Sequence, residues 1–381
     1  MSTLSFQDTI INTILPQITT RIERNIQQYG NQFPSYGDGN RKYNLTANEN
    51  WLASFWSGLL WLLCTQDDRV CETALKLLPS FEERLDKKIR LNHDLGFIFT
   101  LSARAAYQLT GDAAARQLAL RGADVLYQRY NPAGQYIQAW GEIDDPAQAG
   151  RFIIDCMMNL PLLFWAHTET GEQKYYDAAI NHARTSQQYL LREDGSSYHT
   201  YYLNPETGEA IGAKTHQGYA DDSLWSRGQA WAVYGFPMVA EWTGESEFID
   251  TAKKAAGRYL HDAPLTDVVP WDLRLPQNEP AYPDSSADAI TAGGLLRLAD
   301  LTGDTSYRHH AESLLHMLYK QAFDTREDAQ GLLRHGTQHA PHGYGIDTYT
   351  IFGDYFFLEA LLKLAGNTVD FWSPDIKKDT K

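Results

Sequence analysis

Cysteine is scarce in this sequence. The three present, Cys64, Cys71 and Cys156, are odd in number and fit no metal-ligand or redox spacing. They are expected as reduced thiols, which suits a cytosolic protein. Positive charge is scarce too: 33 Lys and Arg face 48 Asp and Glu, a formal charge of −15, and the cations form no cluster. Nucleic acid and anionic membranes call for grouped Lys and Arg, so both are excluded as partners. No apolar run is long enough to span a bilayer, and the opening MSTLSFQDTIINTILPQITTRIERN has no basic stretch followed by an unbroken apolar core. The chain is thus expected to be cytoplasmic, free of the membrane, and a monomer or weak homo-oligomer.

Apolar and aromatic side chains are plentiful. The hydrophobic share, 43 %, supports a large core, and 10 Trp with 22 Tyr suit clefts in which sugar rings stack, although core packing accounts for much of them. The clearest segment is Arg151 to Gly171, RFIIDCMMNLPLLFWAHTETG. It is of helix length, apolar on more than one side, and stops at Thr-Gly; such a helix belongs inside a protein. The pattern recurs in Trp51 to Cys64, Asp94 to Thr110, Arg227 to Thr243 and Ser285 to Thr302. Each is followed by Thr, then Gly or Gln, then an acid (at Thr65, Thr110, Thr170, Thr243 and Thr302), and then by an amphipathic helix. Gly there is a left-handed C-cap, and the acid can cap the next helix. Thr348 to Leu364 is the last apolar helix and Leu4 to Tyr29 the partner that closes the set, which makes six pairs. Pairs whose inner members are apolar all round predict an all-α, (α/α)6 barrel. It forms a single domain over residues 1–381 with a short polar tail from about 366. An open solenoid is the alternative, but it would not bury both faces of each inner helix.

The inner-to-outer turns are tight, while the outer-to-inner connections are long and rich in polar and aromatic residues. The site is expected where those connections enter the inner helices, whose N-termini favour anions. The entering residues include Trp51, His93, Asp94, Asp155 and Arg227, and the preceding loops add Trp140, His199, His216 and Gln217. Asp94 and Asp155 hold equivalent places in successive repeats, and paired carboxylates are the usual equipment for acid/base work on glycosides. Each residue also has a plainer reading. Both Asp residues could be N-caps, and His93, His199 and His216 could be hydrogen-bonded loop histidines. Trp51, Trp140 and Trp231 could be core, and Arg227 could hold a structural carboxylate. His335, His339 and His342 suggest a metal, but their Gly/Pro/His-rich loop has no acid at ligand spacing, so no metal is expected. No other cofactor is called for.

Six stretches together carry a resemblance: HDLGF at 93–97, QAWG at 138–141, IIDCMMNLP at 153–161, SYHT at 197–200, THQG at 215–218 and SRGQAW at 226–231. With them, nearly the whole chain resembles the bacterial unsaturated glucuronyl hydrolases of glycoside hydrolase family 88. The resemblance implies the same (α/α)6 fold. It implies oligosaccharide substrates left by lyases, with a 4,5-unsaturated uronic acid at the non-reducing end. It gives Asp155 the principal acid/base role and Asp94 that of second carboxylate, and it places Trp51, His93, Trp140, His199, Gln217, Arg227 and Trp231 around the sugar. In the implied reaction a vinyl ether is protonated at C4, water adds at C5, and the hemiketal collapses. One carboxyl kept protonated near neutrality suffices for this, and the two-carboxylate rules for attack at the anomeric carbon need not apply.

The loop 332–347 matches no particular substrate preference, which leaves chondroitin, hyaluronan, heparin and gellan fragments open. Two rivals share the toroid. Family 105 unsaturated rhamnogalacturonyl hydrolases share the chemistry, although His93-Asp94 and Ser197-Tyr198-His199 favour family 88. A sugar epimerase would work through paired histidines instead.

Overall fold

The computed structural model describes residues 5–65, 67–143 and 145–375. In chain order its helices are α1 (residues 6–29), α2 (Ala53–Cys64), α3 (Asp68–Asp86), α4 (residues 95–110), α5 (Ala113–Tyr127), α6 (residues 154–170, opening with a 3₁₀ stretch) and α7 (Gln173–Leu190). They continue as α8 (Ser226–Thr243), α9 (Ser246–Asp262), α10 (Ser285–Thr302), α11 (Thr305–Gln321) and α12 (Ile351–Leu364). The even-numbered helices are the apolar ones. Every residue of α2 is buried, as is α8 from Ser226 to Ala240 and α10 from Ser285 to Leu298. They form an inner ring that closes where α12 packs against both α10 and α2. The odd-numbered helices, each with one wet face, surround it. This is the (α/α)6 barrel that the pattern predicts.

The repeated turn has one mechanism. Gly111, Gly171, Gly244 and Gly303 all sit at φ between 70° and 73°, a region that a side chain disfavours. The Thr before each Gly donates its hydroxyl to the carbonyl four residues back and accepts the N–H two residues ahead, at 2.7 and 3.2 Å for Thr110. Thr170, Thr243 and Thr302 repeat both bonds. The acid then behaves according to its length. Asp112 and Asp304 cap the following helix, whereas Glu172 and Glu245 make no cap and pair with Lys174 and Arg184 instead.

Two expectations are corrected here. The first turn lacks the Gly, and there Cys64 and Cys71 form a disulfide across Cα atoms 4.6 Å apart. The tight reversal between α2 and α3 brings together two residues whose spacing alone suggested no pair. Only Cys156 is a free thiol, and the compartment argument drawn from reduced cysteines loses its basis. Of the polar tail expected from about 366, residues 376–381 lie outside the described residues, and residues 366–375 are largely packed. They fold back across the far end of the barrel, where Phe371 and Trp372 are fully buried. Trp372 lies against Phe97 of α4 and Phe356 of α12 and donates its indole N–H to Glu359 at 2.8 Å. Arg297 holds Asp370 at 2.7 Å, and Arg104 takes the carbonyls of Phe371 and Ser373.

The outer-to-inner connections contain seven short strands that the helical periodicity did not reveal. They are β1 (Phe33–Gly37), β2 (Tyr43–Thr46), β3 (Tyr130–Asn131), β4 (Tyr136–Ile137), β5 (Arg151–Ile153), β6 (Thr200–Leu203) and β7 (Ala210–Lys214). β5, β6 and β7 form one antiparallel sheet in that order. Among the described residues no helix is long and apolar enough to cross a membrane.

Candidate active site

The three-stranded sheet brings distant residues to one place. Its register pairs Ile153 with Thr200 and Thr200 with Lys214. Asp155 follows β5, His199 precedes β6, and His216 and Gln217 follow β7, so these four residues meet at one corner of the sheet. The backbone N–H groups of His216 and Gln217 both donate to His199 Nδ1 at 3.0 Å. Nδ1 must therefore be bare, and the neutral ring carries its proton on Nε2. That Nε2 faces Asp155 Oδ1 at 3.7 Å. Burial holds the His199 pKa well below the usual imidazole range, so the ring stays neutral.

The second pair is built the same way. His93 Nε2 lies 3.4 Å from Asp94 Oδ1. Asn159, one turn beyond Asp155, accepts the Phe97 N–H on Oδ1 at 2.8 Å, which turns its amide nitrogen toward His93 Nδ1 at 3.4 Å. His93 thus also presents an Nε2 proton to a carboxyl, and burial lowers its pKa to about 3. Backbone bonds from His93 to Ala139 and from Ala139 to Arg151, both 2.9 Å, tie this pair to β5. Gly96 permits the close approach of α4 and α6, since a Cβ there would lie 2.2 Å from Asn159 Cα.

Neither carboxyl is a helix cap: the Asp94 side chain accepts no cap hydrogen bond, and Asp155 Oδ1 is buried without a partner. Burial drives the Asp155 pKa up to about 7; Arg227 pulls it down and Asp94 pushes it up further. Burial also raises Asp94 to about 6, against the pull of Asn92, Arg84 and Arg129. Buried polar atoms normally find partners. Here Asp155 Oδ1, His199 Nε2, Trp231 Nε1, Arg227 Nε, Gln338 Oε1 and His339 Nε2 all lack one. They lie in the first turns of α6 and α8 and in the connections before α8 and α12, with hydrogen-bonding capacity left over for a polar ligand.

Aromatic rings frame that place. Half-buried Trp140 has the Arg151 guanidinium 4.4 Å above its ring and His216 5.3 Å away. Trp51 stacks on Phe352 at 5.2 Å and stays partly exposed, whereas Trp231 is fully buried between Phe97 and Phe356. Trp231 therefore serves as floor rather than as a sugar platform. Gln217 donates to the Gln338 carbonyl at 3.1 Å.

Arg227, which the resemblance places around the sugar, spends most of its donors within the protein. Its Nη1 donates to Asp284 at 2.8 Å and to the Thr337 carbonyl at 2.7 Å, and Nη2 donates to the Gln338 carbonyl at 2.7 Å. The plainer reading, a structural carboxylate partner, describes most of this contact; only Nε and one Nη2 proton stay free. The histidines regroup as well. His335 pairs with Asp347 at 2.6 Å, and His216 joins His339 and His342 instead. Asn159 and Arg151 went unread as site residues. Asn159 stands one helical turn after Asp155, which is the signal that could have found it.

Known proteins bear out the fold and the family resemblance. The sequence pattern of Glycosyl Hydrolase Family 88 matches residues 25–365. The chain is 43 % identical over 358 residues to the unsaturated glucuronyl hydrolase of Bacillus sp. (strain GL1), covering 92 % of this chain and 95 % of that one. It is 36 % identical over 371 residues to the unsaturated chondroitin disaccharide hydrolase of Streptococcus pneumoniae (strain ATCC BAA-255 / R6), covering 95 % and 93 %. The crystal structure of the Bacillus sp. GL1 enzyme superposes with a TM-score of 0.91, at 42 % identity, over 96 % of this chain and 99 % of that one.

Proposed function

The chain belongs to Glycosyl Hydrolase Family 88, and from that premise we propose that it hydrates the C4=C5 bond of a 4,5-unsaturated uronic acid at the non-reducing end of an oligosaccharide. The observation that carries this reading is Asp155: a buried carboxyl whose Oδ1 lacks a hydrogen-bond partner and whose pKa is raised to about 7, with a neutral histidine N–H facing it. A carboxyl in that state is an acid poised near neutrality.

The steps follow from these groups. Asp155 gives its proton to C4, and the positive charge left at C5 is shared with the ring oxygen. The new Asp155 carboxylate, accepting from His199 Nε2–H, takes a proton from a water molecule as its oxygen bonds to C5. The C5 hemiketal opens by breaking its bond to the ring oxygen. The hemiacetal at C1 then expels the partner sugar with the glycosidic oxygen. Asp94, held by His93, lies close enough to raise the Asp155 pKa and so helps keep the acid protonated until it is used. Trp51 and Trp140 supply faces for sugar rings, and Gln217 with the free protons of Arg227 supplies donors for the uronate carboxylate.

Turnover should abolish the ultraviolet absorbance of the conjugated uronate. In D2O, deuterium should appear at C4, and in oxygen-18 water the fresh product should carry the label at C5. Epimerisation that keeps the absorbance, or label at C1 with the double bond intact, would overturn the reading. Assaying a panel of lyase products from chondroitin, hyaluronan, heparin and gellan identifies the preferred partner sugar.

A further inference from the structure

We propose that His216, His339 and His342 form a binding site for a borderline divalent transition cation of the zinc class at the rim of the sugar pocket. The proposal does not depend on the hydrolytic reading. One ligand nitrogen from each ring lies within 4.8 Å of the other two. His339 and His342 stack at 4.1 Å and 9°, and the ring of His216 stands edge-on to both, at 4.8 and 5.2 Å. His339 is 3 % exposed, and its Nε2 has no hydrogen-bond partner. Such a buried orphan at the centre of a cluster is what an added ligand would satisfy.

The backbone beneath the rings is fixed. The N–H of His216 is bound to His199, Gln338 is held by Arg227 and Gln217, and His339 and Tyr344 bond to each other across the intervening turn. His216 and His342 are exposed and, unlike His339, have solvent on one side into which their rings can turn. Tetrahedral zinc–nitrogen bonds of about 2.0–2.1 Å set ligand nitrogens roughly 3.3 Å apart, a contraction that rotation of two exposed rings can supply. Three imidazoles without a carboxylate in the set favour zinc, copper or nickel over calcium or magnesium. Neutral imidazole is the binding form; His339 Nδ1 accepts the His342 N–H at 3.3 Å, so ligation through Nε2 moves the ring proton to Nδ1 and gives up that backbone bond. Three protein ligands leave a further position for water or for an oxygen of a bound sugar, because His216 also borders Trp140.

The test uses tag-free full-length protein, with Co2+ as optical probe and Zn2+ as calorimetric competitor. The wild type should bind one Co2+ per chain with the d–d absorption of a nitrogen-ligated ion, and Zn2+ should displace it. His216→Ala and His342→Ala should each weaken binding by more than about tenfold, since loss of even an outer-shell partner costs that much. His309→Gln with His310→Gln, adjacent on α11 and outside the cluster, should leave binding unchanged. Absence of stoichiometric binding, affinity indifferent to His216 and His342, or loss of binding in the α11 variant would each overturn the proposal.

Discussion

Asp155 and Asp94 are alike in residue type and nearly alike in burial, and their neighbours set them apart. Asp155→Asn keeps the shape and removes the proton, so turnover is expected to fall by about 10²–10⁴-fold or more while the fold survives. Its stability should also change with pH. The folded-state pKa of Asp155 is raised from 3.8 to about 7, so the stability it confers is fully present below pH 3.8 and is lost as pH rises through 7. Asn does not titrate. The melting temperature of the variant relative to wild type should therefore climb between those two pH values and level off above them. For the wild type, activity should decline on the alkaline side of about pH 7 as the acid ionises. In Asp94→Asn the like charge that raises Asp155 is gone, so any residual activity should lose its alkaline limb at lower pH than in the wild type. A pH–rate profile that keeps its alkaline limb in place would remove that electrostatic role and leave Asp94 to position substrate.

At the scale of elements, the β5–β6–β7 sheet fixes a tautomer. Replacing His199 by Ala strands two backbone N–H groups, at a cost on the order of 2 kcal/mol, and removes the N–H that faces Asp155. His199→Asn offers an oxygen near the place of Nδ1. It should recover most of the melting temperature and little of the rate; equal recovery of both would mean that His199 only holds the loop. The helices of this fold were legible because their information is local: a Thr-Gly-acid turn falls within three residues and repeats. The equivalent places of Asp94 and Asp155 followed from that repeat. What was not legible joins residues far apart in the chain. Arg227 meets Asp284, His199 is oriented by amides two strands further on, and His339 and His342 meet His216 rather than the nearer His335. No spacing records such pairs, and strands as short as Arg151–Ile153 give too few alternations to be read.

For the molecule as a whole, the returning segment 366–375 is as much a part of the barrel as any helix. Trp372→Ala would leave a cavity among Phe97, Tyr355 and Phe356 and take from Glu359 Oε1 one of its two donors, Tyr355 remaining as the other, and is expected to lower stability by roughly 3–5 kcal/mol as read by chemical denaturation. Because Trp372 is not among the groups that set the Asp155 pKa, the folded variant should keep its pH–rate profile. A barrel stoppered in this way is closed at that end. A glycan cannot be threaded through it, so only a chain end can be presented to the acid, and interior sugars stay out of reach. Both fragments must leave by the route the substrate took in.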